Sequence, residues 1–190
     1  MATKPGERKA QILQTLAEML EDPKGEKITT ALLAAKVDVS EAALYRHFAS
    51  KAQMFEGLIE FIEATVFSLI NKIMAEETSG IKQLEAVMAM LLGFAKKNPG
   101  MTRVLIGDAL VHESERLQAR INQLHDRLEA TLRQCLRLAA SANEIPNATD
   151  ATSKANVLLC YIIGRWHQFA KSDFKRSPTE FWPAQFNDLL

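Results

Sequence analysis

Between residues 29 and 55 the chain sets out side chains suited to gripping a phosphate and reading a polar edge. Thr29 and Thr30 place two hydroxyls at what reads as a helix start, where free backbone N–H groups also favour an anion. Ser40 follows, and then the run Leu44-Tyr45-Arg46-His47-Phe48-Ala49-Ser50-Lys51. A guanidinium forks onto the O6 and N7 of guanine, while a phenol or an ammonium meets a phosphate oxygen. From Ala42 to Phe55 no acidic residue intervenes, and Arg46, His47 and Lys51 all fall inside that window. The chemistry implied is non-covalent recognition of a nucleic acid.

These side chains need elements to aim them. The spacing predicts a helix over about 30–36, with Leu32, Leu33 and Val37 turned inward. The three-residue turn Asp38-Val39-Ser40 comes next, and Ser40 is a good N-cap for a helix to about Phe48. Two short helices around such a turn have helix-turn-helix spacing, here over about 29–48. At about 100° per residue, Leu44 and Phe48 share the packed face. Ala42 and Arg46 then lie opposite, flanked by Ala43 and Tyr45. Small residues let a helix sit deep in a groove, and Arg46 and Tyr45 reach from it. Ser50-x-x-Gln53 reads as a capping box that opens the next helix and puts Lys51 in its first turn.

The rest of the chain is helical in the same way. Ala and Leu supply 49 of 190 residues, Val only seven and Gly eight. That bias predicts an all-α protein of nine helices. A first helix over about 7–21 buries Ile12, Leu13, Leu16, Ala17 and Leu20, and Pro23 and Gly25 end it. The fourth, about 50–77, is expected to bury Met54, Leu58, Phe61, Ile62, Thr65, Leu69 and Ile73. Gly80 breaks the chain before a fifth, to about Lys97. Asn98-Pro99 starts a sixth, to about Leu110. A long helix over about 113–140 carries Leu117, Ile121, Leu124, Leu128, Leu132 and Cys135 at close to heptad spacing. An eighth spans about 150–172, and Ser177-Pro178-x-Glu180 is expected to cap a ninth.

Several function classes fall away. The 23 basic and 23 acidic residues cancel, which excludes an indiscriminate polybasic binder and leaves a local patch. Cys135 and Cys160 form no C-x-x-C pair, and His47, His112, His125 and His167 lack the spacing of a metal helix. No Gly-rich phosphate loop or nucleophile–base pair is recognisable, so no enzyme, cofactor or metal is expected. The N-terminal stretch lacks the apolar core of a signal peptide. The longest apolar runs, 86–95 and 157–164, are too short for a membrane helix. A cytoplasmic protein without membrane contact is expected.

The stretch around Leu44-Tyr45-Arg46-His47-Phe48-Ala49-Ser50-Lys51 resembles the TetR-type DNA-binding family, whose signature ends in a tyrosine, a His-Phe pair and Ser-Lys. Asp38 stands where that family usually has glycine, and Asp tolerates the left-handed conformation better than most residues. Ala49 stands for a frequent proline. The resemblance implies a DNA-binding domain over 6–66, with Thr29, Thr30, Ser40, Ala42, Tyr45, Arg46, His47 and Lys51 meeting double-stranded DNA. It implies a helical dimerisation and partner-binding domain over 67–190.

The segments VSEAALYRHFASK, MFEGLIEFIE, LLGFAKKNPGMTRVLIGDAL, ERLQARINQLHDRLEATLRQ and SDFKRSPTEFW are similar to the nucleoid occlusion branch of that family. That branch binds sites scattered over the chromosome and also binds the division GTPase FtsZ, blocking ring assembly over unsegregated DNA. The resemblance implies an FtsZ-facing surface on the fourth and fifth helices that includes Phe61, Leu69, Met90, Gly93, Lys97 and Asn98. The family can carry arginine where this chain has Leu69 and Lys97; lysine keeps the charge without the bidentate fork. Periodicity by itself gives Phe61 to the core. For Gly93 the residues leave two reasons open, close helix packing or the close approach of a partner. The resemblance also implies a nucleoid-associated homodimer formed through helices eight and nine, with no small-molecule ligand. A ligand-responsive repressor, with a chamber lined by apolar residues of 84–94, 105–110 and 117–128, is the alternative.

Overall fold

The computed structural model describes residues 5–22, 28–146, 150–182 and 184–190. Pro23 and Gly25, expected to end the first helix, lie outside the described residues. Among those described, nine α-helices and one 3-10 turn appear and no strand. They are α1 Pro5–Met19, α2 Thr30–Val37, α3 Glu41–Tyr45, α4 Lys51–Glu76, α5 Gly80–Lys97, α6 Pro99–Leu105, α7 Glu115–Ser141, α8 Ala151–Lys171 and α9 Ala184–Leu189; the 3-10 turn is Asp108–Leu110.

The centre of the molecule is α5, α7 and α8, with α4 against α5 and α7. The expected seam of α7 is buried from Leu117 through Cys135, and it meets Leu84, Val87, Met88, Leu91 and Trp166 in one continuous core. At one end α1 packs on α2, α4 and α6, and α2 on α3. The helix-turn-helix is thereby carried on the first turns of α4. Leu33, Val37, Leu44 and Phe48 are buried and join the two short helices to Ile12, Leu16 and Leu58.

The structure corrects several boundaries and faces, among them that of α2, where Leu32, expected inward, is exposed beside the buried Leu33 and Val37. α4 buries Met54, Phe55, Leu58, Ile59, Ile62, Val66 and Ile70, whereas Phe61 and Leu69 are 49% and 40% exposed. The helix is clasped by α1, α5, α6 and α7, so its buried stripe is wide and rotated from the one expected. α3 ends at Tyr45, with Arg46 as its C-cap, and a turn leads through Phe48. α6 stops at Leu105, because Gly107 turns the chain at φ 77° into the 3-10 segment. Residues 177–182 form turns, and α9 begins at Ala184, so the Ser177 motif caps no helix. Instead Arg165, buried on α8, donates to the carbonyls of Ser177 and Pro178 at 2.7 and 3.1 Å and holds that turn down.

The aromatic side chains of α8 and α9 pack largely inside one chain. Trp166 and Phe169 are buried on α8, Phe186 is buried on α9, and Trp182 packs on Phe186 at 5.1 Å between ring centres. α8 leaves outward a stripe that includes Val157, Cys160, Gly164 and His167, with Thr152, Ser153, Asn156, Gln168 and Lys171 also exposed. No described helix is long and apolar enough to cross a membrane.

Candidate nucleic-acid interface

Each helix of the interface is started by its own hydroxyl. Thr29 accepts from the Leu32 N–H at 3.2 Å, Ser40 from Ala43 at 3.2 Å and Ser50 from Gln53 at 3.2 Å. These caps satisfy one orphan donor each and fix the angle at which each helix enters. The Ser50 box closes in a modified form: Gln53 Oε1 takes the N–H of Ala49, one residue before the cap, at 2.9 Å. Asp38 adopts φ 57°, ψ 53°, and its N–H and that of Val39 return to the carbonyls of Ala35 and Ala34. That left-handed C-cap is the conformation for which the position usually takes glycine, and the aspartate holds it.

The outward face of α3 is as its periodicity demands. Ala42, Tyr45 and Arg46 are exposed and His47 is half-buried. Tyr45 Oη donates to Thr30 Oγ1 at 3.4 Å, and Thr30 Oγ1 donates to Glu41 Oε2 at 2.8 Å. A short relay therefore ties the recognition helix to α2 and spends the Thr30 proton internally. Thr29 keeps its own proton free to donate, because its oxygen serves the cap as acceptor.

Lys51 departs from the expected arrangement. Its ammonium lies in the first turn of α4 as expected, but it is paired with the Glu113 carboxylate and is only 23% exposed. The same ammonium stands 5.6 Å from the centre of the Phe55 ring. Glu41 and Glu113 are the two residues that sequence reasoning missed. Glu41 directly precedes the acid-free window and was visible there. Glu113 is 62 residues from Lys51, and nothing local announces the contact.

On the second candidate surface, Phe61 and Leu69 lie on the outer side of α4, and Met90, Gly93 and Lys97 fall at helical spacing on α5. Met90 is half-buried against the core, and Lys97 is exposed. The Asn98 amide donates to the Phe94 carbonyl at 2.7 Å, so this side chain finishes α5 where α6 begins. A Cβ on Gly93 would meet nothing within 4 Å outside its own turn, so close packing by the protein's own helices is not why glycine stands there. Phe61 also lines an apolar groove of about 470 Å³ with Ala10, Leu13, Leu58 and Met101. The α1 side of that groove was not anticipated.

The chamber required by a ligand-responsive regulator would lie between α5, α6 and α7. There Leu84, Val87, Met88, Leu91, Leu105, Leu117, Ile121, Leu124 and Leu128 are at most 1% exposed and pack on one another. Among the described residues no cluster of His, Cys, Asp or Glu is arranged to hold a metal.

An all-α chain with a capped helix-turn-helix on a helical core has the architecture of TetR-type regulators. Residues 12–58 match the family model for bacterial regulatory proteins of the tetR family, and residues 78–190 match the SlmA-like model of the tetracyclin repressor-like C-terminal domain. A fatty acid degradation regulator from Bacillus halodurans superposes with a TM-score of 0.82 over 100% of this chain and 97% of its own, at 15% identity. Similarity of sequence goes much further. The nucleoid occlusion factor SlmA of Alteromonas mediterranea is 53% identical over 98% of this chain and 94% of its own. The SlmA of Vibrio cholerae is 51% identical over 92% of each. The chain belongs to the SlmA family.

Proposed function

We propose that this protein is a nucleoid occlusion factor. It binds specific chromosomal sites and, from them, inhibits assembly of the FtsZ ring over the chromosome, coordinating division with segregation. The observation that carries the reading is near-full-length identity of about half to relatives named for that role. The site geometry supports it: Ala42, Tyr45 and Arg46 stand outward at α3, which Ser40 caps, between helices that Thr29 and Ser50 cap. Thr29, Ser40, His47 and Lys51 flank that face, and Thr30 orders it.

The proposed division of labour puts DNA binding in 6–66 and dimerisation and partner binding in 67–190, with α4 common to both. A second copy docks on the outward stripe of α8 and on α9, and the two recognition helices then meet half-sites roughly 34–36 Å apart. FtsZ binds the surface made by Phe61 and Leu69 of α4 and Met90, Gly93, Lys97 and Asn98 at the end of α5. The role is recognition, not catalysis, in a nucleoid-associated cytoplasmic protein. A ligand-responsive repressor is the weaker reading, because the core between α5, α6 and α7 is filled.

Chromatin immunoprecipitation followed by sequencing tests this directly. Many dispersed sites, depleted near the replication terminus, are expected, and duplexes from those sites should let the protein suppress GTP-dependent sedimentation of FtsZ. One or two promoter sites with no effect on FtsZ would overturn it in favour of a repressor.

A further inference from the structure

The contact between Lys51 and Glu113 has a consequence for DNA binding. Lys51 sits at the N-terminus of α4, where backbone N–H groups favour an anion, in a stretch of sequence without an acidic residue. The group now beside its ammonium is a carboxylate 62 residues further along the chain. Glu113 is 13% exposed, and its backbone N–H is bonded to the Leu110 carbonyl at 2.9 Å. It therefore rides on the 106–114 segment between α6 and α7, and that segment is pinned. Asp108 is bound by both Arg103 and Lys171, and Arg103 also donates to the carbonyls of Leu20 and Asp22 at the end of α1. A cavity of about 220 Å³ lies beside the pair, bounded by Met19, Ile28, Phe55, Val111 and His112, so the two side chains have room to part.

We infer that Glu113 is a positioning residue for DNA binding: its carboxylate occupies Lys51 in place of a DNA phosphate, and docking on DNA requires Lys51 to exchange one for the other. The inference rests on the DNA-binding reading above. A carboxylate and a phosphate oxygen make the same kind of charge-assisted hydrogen bond to an ammonium, so the two compete for one donor. Separation of the pair leaves Glu113 without its cation and lowers affinity by the worth of a largely shielded ion pair. It also removes one contact between the α6–α7 segment and α4, while Arg116 still meets Glu56 and Arg120 still meets Glu60 and Glu63.

The test is a double-mutant cycle on fluorescent random-sequence 30-base-pair duplex. Lys51 meets the backbone, so its contribution is independent of sequence. Glu113→Gln removes the charge and keeps the shape. It should tighten binding by about three- to fivefold per protomer. In the Lys51→Gln background the same substitution should change nothing. An equal gain in both backgrounds would mean general repulsion between Glu113 and DNA, and no gain would mean a purely structural contact; either overturns the inference. A second readout needs no DNA. Reductive methylation followed by mass spectrometry should find Lys51 slow to react in the wild type and several-fold faster in Glu113→Gln, with thermal melting confirming that both are folded. A Lys51 equally reactive in both overturns the inference whatever the fate of the DNA-binding reading, whereas a slow Lys51 in a protein that binds no duplex overturns that reading alone.

Discussion

The indole N–H of Trp166 donates to the Leu91 carbonyl at 3.2 Å, joining α8 to α5 in the middle of the core. Both residues are at most 1% exposed, so water cannot replace either partner. Trp166→Phe keeps most of the packing and removes the donor. It should cost about 1–3 kcal/mol in urea unfolding. Trp166→Ala adds a cavity and should cost about 3–5 kcal/mol. A Trp166→Phe variant as stable as the wild type would show that the hydrogen bond contributes nothing beyond volume.

Gly100 and Gly93 should respond to alanine with opposite signs. A Cβ on Gly100 would stand 1.9 Å from the Ala17 carbonyl oxygen, so the first turn of α6 lies directly on the last full turn of α1. Backbone cannot give way as a flexible side chain does, and Gly100→Ala should destabilise by about 1–3 kcal/mol. Gly93 has open space at the same point. There Gly93→Ala should stabilise by up to about 1 kcal/mol through helix propensity alone. Denaturant midpoints at constant m-value decide both.

These two glycines mark the limit of what the chain discloses by itself. Gly93 stands in apolar helical sequence and Gly100 just after the Asn98-Pro99 start of α6, and only three-dimensional neighbours show what a Cβ at each would meet. The same holds elsewhere. The α7 seam was legible because one apolar stripe on a long polar helix admits a single orientation. The α4 face was not, because a helix clasped by four others shows apolar residues on most sides, and Phe61 cannot be told from Ile62 by period. Ser40 and Ser50 were legible as caps because capping is local chemistry. Ser177 carries a similar signal, but the chain there is held by Arg165 from α8. The outward face of α3 was legible for the same local reason, whereas the partner of Thr30 is Glu41 across a turn and that of Lys51 is Glu113, 62 residues along the chain.

His125 makes stability depend on pH. Burial pushes its imidazole below the ordinary value of 6.5, against the opposing pull of a hydrogen bond to the Leu105 backbone and of the Asp126 charge. Its ring lies 6.3 Å from that of Trp166, and its Nε2 is buried without a partner. A histidine with a lowered pKa in the folded protein binds a proton more readily once unfolded. Its contribution is therefore complete above about 6.5 and is lost progressively as pH falls from there toward the folded value. Urea midpoints should drop over that acidic window. In His125→Phe that part of the dependence should vanish, and a wild-type slope retained in the variant would assign it to other groups.

Phe61 separates partner binding from folding. At 49% exposure its ring contributes little to the core, so Phe61→Ala should shift stability by no more than about 0.5 kcal/mol. The ring nevertheless lines the apolar groove beside α1, and a protein partner would bury it more fully than the chain does. Aromatic anchors of that kind commonly carry about 2 kcal/mol or more of an interface. Phe61→Ala should therefore weaken FtsZ binding at least tenfold in fluorescence anisotropy while duplex affinity stays unchanged. Leu69→Arg, which places a guanidinium on the same side of α4, should strengthen FtsZ binding if the partner presents carboxylates there, with the gain falling as salt is raised. Loss of DNA affinity in Phe61→Ala would mean that the outer face of α4 belongs to the DNA-binding surface instead, because Phe61 is nearly three turns beyond the Lys51 end of the helix and has no route to a phosphate if α3 docks by its Ala42–Arg46 face.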